Sequence, residues 1–228
     1  MQVLGFTNRR SPGAVFLVPV IILSGCATES HRAIKPQTVE TYHSNYQGTK
    51  MTLVVGNFQN RSNYLQGVFS SNSDRLGNQA KTILKTHLQQ TNRFKLVDRE
   101  NMEQLKKEAD LRGVRQNLIG AKYAVTGQVT EFGRKVIGDQ QLFGILGAGK
   151  KQMAYSKVSL NIVDVDTSEV VYSTQGAGEF SLSNREVIGF GGTAGYDATL
   201  NGKVLNFAIT QAVDNMVRDL QNGVWAAE

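Results

Sequence analysis

Near the N-terminus the apolar positions are continuous. Ala14 to Leu23 carry no charge, follow Arg9 and Arg10, and lead through Ser24 and Gly25 to Cys26. A run of about ten residues is too short for a transmembrane helix, which takes about 20. A basic start, a short apolar centre and small residues at the end are the three parts of a secretory signal, expected over residues 1–25. From Ala27 to Lys50 the pattern turns polar, with Ile34 and Val39 as its branched aliphatics and Pro36 inside, so residues 26–50 read as a tether. Structure is expected from residue 51 to 228.

Beyond the tether, Thr52 to Phe58 form a β-rich run that predicts a buried strand, followed by a polar loop over Gln59–Ser73 interrupted by Tyr64, Leu65 and Phe69. Leu76, Ala80, Ile83, Leu84 and Leu88 recur at helical spacing over Asp74–Gln90, with Ser73 or Asp74 as cap. Phe94 to Val97 predict a short strand. Asp98 is expected to cap a second helix carrying Met102, Leu105 and Ala109 on one face, with Gly113 just past its end. From Lys122 the period becomes two: Tyr123, Val125 and Val129 alternate with Ala124, Thr126, Gln128 and Thr130. Lys157–Val165 and Val170–Thr174 predict two further strands around a turn at Asp166–Glu169, and Asn201–Gln221 predict an amphipathic helix. Strands and helices intermingle, so the expected fold is α/β (α+β): a mixed sheet flanked by helices.

Two glycine-rich stretches exceed ordinary loop length. Each predicts a long β-hairpin, over residues 131–156 with its tip at Gly147 and Gly149, and over residues 179–200 with its tip at Gly191 and Gly192. Their arms have the length of membrane β-strands, about 9–11 residues. Four strands cannot close a barrel, and open edges are not tolerated in lipid, so spanning would demand several copies. The alternative from the pattern is a pair of soluble hairpins packing on the domain or a partner.

Charge and composition narrow the chemistry. The chain has 25 Lys+Arg and 19 Asp+Glu; without Arg9 and Arg10 the balance is 23 to 19. No basic cluster interleaves with aromatics, so no nucleic-acid partner is expected. Cys26 is the single cysteine, which excludes internal disulfides and cysteine-based zinc sites. His31, His43 and His87 show no metal-ligand spacing, and no cofactor is expected beyond a covalent lipid. Gly144 to Lys150 has P-loop spacing, but Lys151 stands where Ser or Thr would bind magnesium. Gly189 to Ala194 resembles a dinucleotide fingerprint only in letters. Asp164 and Asp166 flank a turn and are expected to shape it. Nothing here predicts an enzyme.

Leu23-Ser24-Gly25-Cys26 resembles the lipobox of bacterial lipoproteins, whose cysteine is acylated and becomes the first residue of the mature chain. Ala27 is not the aspartate that commonly retains such proteins in the inner membrane, so the resemblance implies the periplasmic leaflet of a Gram-negative outer membrane. Ala80–Arg99 (AKTILKTHLQQTNRFKLVDR), Ala121–Thr130 (AKYAVTGQVT) and Val158–Val171 (VSLNIVDVDTSEVV), in this order, resemble the CsgG/HfaB family, which includes the curli secretion channel. That resemblance implies a homo-oligomeric ring. Each subunit would supply two hairpins to one β-barrel, and the α/β domains would form a periplasmic vestibule. Transport would be independent of ATP, with an exported polypeptide and accessory envelope lipoproteins as further partners.

In the family the loop after the first strand lines a constriction, which maps here to Tyr64, Gly67, Phe69, Ser71 and Asn72. The curli channel's tyrosine, asparagine and phenylalanine positions fall on Gly67, Ser71 and Asn72, and the nearest aromatics are Tyr64 and Phe69. The loop is thus rearranged, or the gate is wider and more polar. The chain ends soon after its last helix, so a partner-docking C-terminal segment is expected to be missing. Two functions stay open: a ring-shaped channel or assembly platform, and a non-channel periplasmic lipoprotein regulating envelope or cell-wall assembly.

Overall fold

The computed structural model describes the backbone of residues 36–64, 74–140, 148–186 and 200–225, and their side chains except at 136–140, 148–152 and 182–186. Along these residues run β1 (Met51–Asn60), α1 (Arg75–Gln90), β2 (Phe94–Val97), α2 (Met102–Leu111), β3 (Tyr123–Gln140), β4 (Ala148–Asp164), β5 (Val170–Glu186) and α3 (Leu200–Gln221). The strands form one mixed sheet in the order β2-β1-β3-β4-β5. β1 lies parallel to β2 and β3, while β3, β4 and β5 are successive antiparallel neighbours. Parallel pairs require crossovers, which the α1 and α2 stretches provide; the antiparallel pairs need only turns. The mixed α/β class matches the expectation.

One face of the sheet holds the core. Met51, Leu53 and Val55 of β1, Tyr123, Val125 and Val129 of β3, and Val158, Leu160 and Ile162 of β4 are buried there. α1 and α3 cover this face. α3 buries Val204, Leu205, Ala208, Ile209, Ala212, Val213, Met216 and Val217, and each large aliphatic among them contributes about 1.5–3 kcal/mol. The alternate positions, Thr52, Val54, Ala124, Thr126 and Asn161, stay half-exposed. The two helices that pack on the sheet, α1 and α3, thus lie on the same side of it.

Local chemistry explains most boundaries. Asp74 caps α1 by accepting from the Gly77 amide at 2.7 Å, and its other oxygen accepts from the Asn60 amide at 2.6 Å, tying the end of β1 to the start of α1. Asp98 does not cap α2. It accepts from the Glu100 amide at 2.9 Å and from Asn101 Nδ2 at 2.7 Å, closing a turn one step earlier, and Asn101 takes the cap position without a side-chain bond to the helix amides. The Asn101 and Glu100 donors hold the Asp98 carboxyl below its usual range. Of the predicted α2 stripe only Ala109 is buried, and Leu105 is exposed. Asp164 shapes the β4–β5 turn as expected, accepting from the amides of Asp166 and Thr167, both at 2.9 Å.

Described residues before residue 51 pack on the fold. Val39, inside the stretch read as tether, is 2 % exposed and belongs to the core. The Glu40 amide donates to Asp214 of α3 at 2.9 Å, and Arg93 donates to Ser44 at 2.8 Å while lying over the Tyr46 ring. One buried valine in polar surroundings leaves no periodic trace, which is why the polar pattern hid this strap. His87 was likewise unremarkable in sequence. It is buried between α1 and α3, with Nε2 2.7 Å from Asn206 Oδ1 and 3.1 Å from Thr210 Oγ1.

Candidate functional site: a three-stranded β-arm

β1 stops pairing with β3 at Asn60 opposite Val129, and the Arg61 amide donates to the Val129 carbonyl at 2.9 Å. β3 continues to Gln140, with β4 paired beside it from Glu131↔Lys157 to Gln140↔Ala148. β5 pairs with β4 up to Glu186 opposite Ala148. About ten residues of each strand therefore form a ribbon beyond the end of β1, about 30 Å long at 3.3 Å per residue. The first predicted hairpin and the ascending half of the second are one continuous ribbon.

The register places Gly149 inside β4, opposite Asp139, and so not at a tip. The pairing was set at the base of the hairpin, where an irregularity at Val129/Glu131 shifts the register. Lys150 and Lys151 sit in the same strand, opposite Gly138 and Ile137, and no P-loop helix follows them. Gly147, Gly191 and Gly192 lie outside the described residues, as do Cys26 with Leu23, Ser24 and Gly25.

The foot of the arm is built by packing. Tyr64 packs against Phe132 with ring centroids 4.6 Å apart and the rings tilted by 41°, and its hydroxyl accepts from Asn201 of α3 at 3.2 Å. This candidate constriction residue is thus anchored at the junction of loop, arm and last helix. Gly67, Phe69, Ser71 and Asn72 lie outside the described residues. On β5, Gly176 and Gly178 lie directly beneath α3: a Cβ at Gly178 would meet the Val204 carbonyl oxygen at 2.6 Å and Phe207 Cβ at 2.7 Å. Gly176 meets the helix backbone at Ala208 and Ala212. Two glycines at alternate strand positions facing alanines four apart on a helix form a notch that only side-chain-free backbone allows. The sequence carried that signal in Gln-Gly-Ala-Gly-Glu (175–179), though it is legible only once the helix is known to cross there.

α3 also closes part of the sheet's outer edge. Gln211 Oε1 accepts from the Ala177 amide at 2.6 Å, and Asn215 Nδ2 donates to the Gln175 carbonyl at 3.1 Å. Edge groups that would otherwise pair with another chain are satisfied within the same chain. Farther along, Phe180 stacks over Phe207 at 6.3 Å with Lys203 above its ring at 4.9 Å.

Electrostatics at the site are modest. Lys157 pairs with Glu131 at 2.6 Å directly across the two strands. Burial pushes the Asp214 carboxyl up, partly opposed by the Glu40 amide that donates to it. Burial and a 2.5 Å bond to Asp219 push the Tyr172 hydroxyl up to about 12. Among the described residues no group of three His, Cys, Asp or Glu is placed to hold a metal ion, and no helix is long and apolar enough to cross a membrane.

Comparison with known proteins adds the family. The chain is 58% identical over 215 residues to a protein of Neisseria meningitidis serogroup B named Putative lipoprotein NMB1126/NMB1164, covering 94% of this chain and 96% of that one. Among solved structures it is similar to lipoprotein GNA1162 of Neisseria meningitidis (15% identity, 75% of this chain and 99% of that chain, TM-score 0.33). It is also similar to the PelC dodecamer of Paraburkholderia phytofirmans (15% identity, 72% and 87%, TM-score 0.35). The model of the curli production assembly/transport component CsgG matches residues 37–228, and this chain belongs to the CsgG family.

Proposed function

We propose that this protein is an outer-membrane lipoprotein, anchored through lipid on Cys26, whose copies assemble by their β-arms into a ring. The ring serves as a channel or assembly platform for export of a polypeptide or surface component. The observation that carries this reading is the arm itself. Among the described residues, β1 pairs with β3 only as far as Val129, while β3 runs about ten residues farther as an edge with no described strand on that side. Such an edge is a template for another strand, and head-to-tail pairing of identical edges closes into a ring when the rotation permits.

Negative-stain microscopy of the full-length lipoprotein in detergent tests the reading. Rings with a central density support it. A homogeneous monomer or dimer overturns it, since three or four strands from one chain enclose no pore.

The charge along the arm favours a second reading, a non-spanning arm that binds envelope assembly machinery. Arg134 and position 150 share one alternation of the ribbon, and Lys135, position 139 and position 151 share the other, so both rows carry ionisable residues in the paired region. A spanning barrel needs an outward apolar band about 25 Å tall. A monomer in detergent that still binds an envelope partner would establish this alternative.

A further inference from the structure

On the sheet face turned away from α1 and α3, one patch is free of charge, while Glu131, Lys157 and Glu179 stand farther along the same face. Asn57, Gln59, Thr126, Gln128 and Asn161 line a shallow cavity of about 200 Å³ at its centre. None of the five is charged. Solvated sheet faces are ordinarily kept soluble with mixed charge, so a neutral patch rich in amides asks for another reason. Farther up β4 on the same alternation stands Tyr155, 43 % exposed. Its ring lies across Gly133, its direct cross-strand partner: a Cβ there would meet Tyr155 Cε1 and Cζ at 2.5 Å. The ring thus covers the backbone at Gly133 while the residue stays substantially exposed. Tyr155 and Asn161 are six strand positions apart, about 20 Å, with the Glu131–Lys157 pair between them.

We propose that this face is a binding site for an uncharged glycan strand. Amide side chains each offer donors and an acceptor together, as sugar hydroxyls do, whereas carboxylates and ammonium groups offer one kind only. A flat aromatic face takes the apolar C–H face of a sugar ring, as aromatic side chains supply amphipathic contact area. Coverage of Gly133 alone would account for the ring's position, but it does not account for the uncharged patch of Asn57, Gln59, Gln128 and Asn161 beyond the Glu131–Lys157 pair on the same face. A shallow surface without deep apolar pockets suits a polyhydroxylated ribbon better than a peptide with apolar side chains. The inference concerns the folded domain and does not depend on ring assembly.

The test is calorimetric titration of the full-length protein, in a detergent without a sugar headgroup, with the β-1,4-linked hexasaccharide of N-acetylglucosamine and with cellohexaose. Saturable binding of at least one is expected. Tyr155→Phe should stay within about threefold of the native affinity, while Tyr155→Ala should weaken it about tenfold or more, about 1.4 kcal/mol. Because Tyr155→Ala also bares Gly133, Gln128→Leu and Asn161→Leu provide variants that keep the ring, each expected to weaken binding about fivefold with melting temperature retained. Absence of binding to both hexasaccharides overturns the proposal. So does a neutral Asn/Ser-rich unfolded peptide binding where the glycans do not, or equal affinity across the leucine variants. Rings seen by microscopy without glycan binding would refute this inference alone.

Discussion

At Gly176 a single hydrogen in place of a methyl group decides whether the last helix can lie on the sheet. The backbone of α3 at Ala208 and Ala212 occupies the space a side chain would need. Helix backbone cannot yield as a flexible side chain can, so Gly176→Val should cost about 3 kcal/mol or more, the upper range for overpacking, read as a lowered denaturation midpoint. Gly202→Ala, at 3.1 Å from the flexible end of Gln79, should cost less than 1 kcal/mol and serves as its control. Asp214 makes a second residue-scale prediction. Its folded pKa is raised by burial, so the folded state retains a proton that the unfolded state has released above about pH 4. Stability is therefore greatest below that value, declines as pH rises through the raised folded pKa, and levels off above it. Asp214→Asn, which can still accept from the Glu40 amide, should remove that slope and leave stability at neutral pH equal to or above the native protein's. A decline of the same size in Asp214→Asn, measured by urea unfolding across pH, would reject the assignment.

Elements show where sequence suffices and where it does not. α1, β2 and α3 were legible almost to their ends, because Leu76, Ala80, Leu84 and Leu88, and the Val204–Val217 stripe, repeat at helical spacing against a polar background. α2 was legible as a helix but not as an unburied one: its stripe of Met102, Leu105 and Ala109 implied a core contact, and only Ala109 is buried. The long hairpin predicted over residues 131–156 and the strand predicted over Lys157–Val165 are parts of the same strands, because β4 runs unbroken from Ala148 to Asp164; pairing, not pattern, shows that continuity. The candidate site divides the same way. Tyr64 stood out as an aromatic in a polar loop, whereas its partners Phe132 and Asn201 are distant in sequence. Gln211 and Asn215 were invisible, being ordinary polar positions of a helix until a strand edge is placed beside them. They lead to a prediction at this scale. With both changed to Ala, the Ala177 amide and Gln175 carbonyl are open for pairing, so a form with Cys26→Ser, purified without lipid, should self-associate at concentrations where the parent stays dispersed. Equal sedimentation of the two would show that the edge needs no such protection.

For the whole molecule, the topology brings the ends of β3 and β5 and the start of β4 to one level, and the sequence stretches that follow β3 and β5 are apolar and glycine-rich. The β3–β4 connection over residues 141–147 and the segment following Glu186 both leave the sheet at the level of Ala148, which pairs with Gln140 on one side and Glu186 on the other. The core ends well below, at Phe132, Ala154 and the half-buried Phe180. Stability and assembly should therefore separate. Replacing residues 141–147 by Asn-Gly gives a two-residue connection of the kind hairpins favour between directly paired residues. The described core residues all lie outside this stretch, so the melting temperature should move by no more than about 2–4 °C, the shift of about 1 kcal/mol in a chain of this size. If the arm end joins copies in the membrane, the same variant, still lipidated at Cys26, should fractionate with membranes yet yield no rings on solubilisation. Rings that survive the deletion would place subunit contacts in the folded domain and remove the arm's end from assembly. A collapse in melting temperature would mean that the ribbon stabilises the domain, and would undercut its reading as a device for reaching another chain or the bilayer.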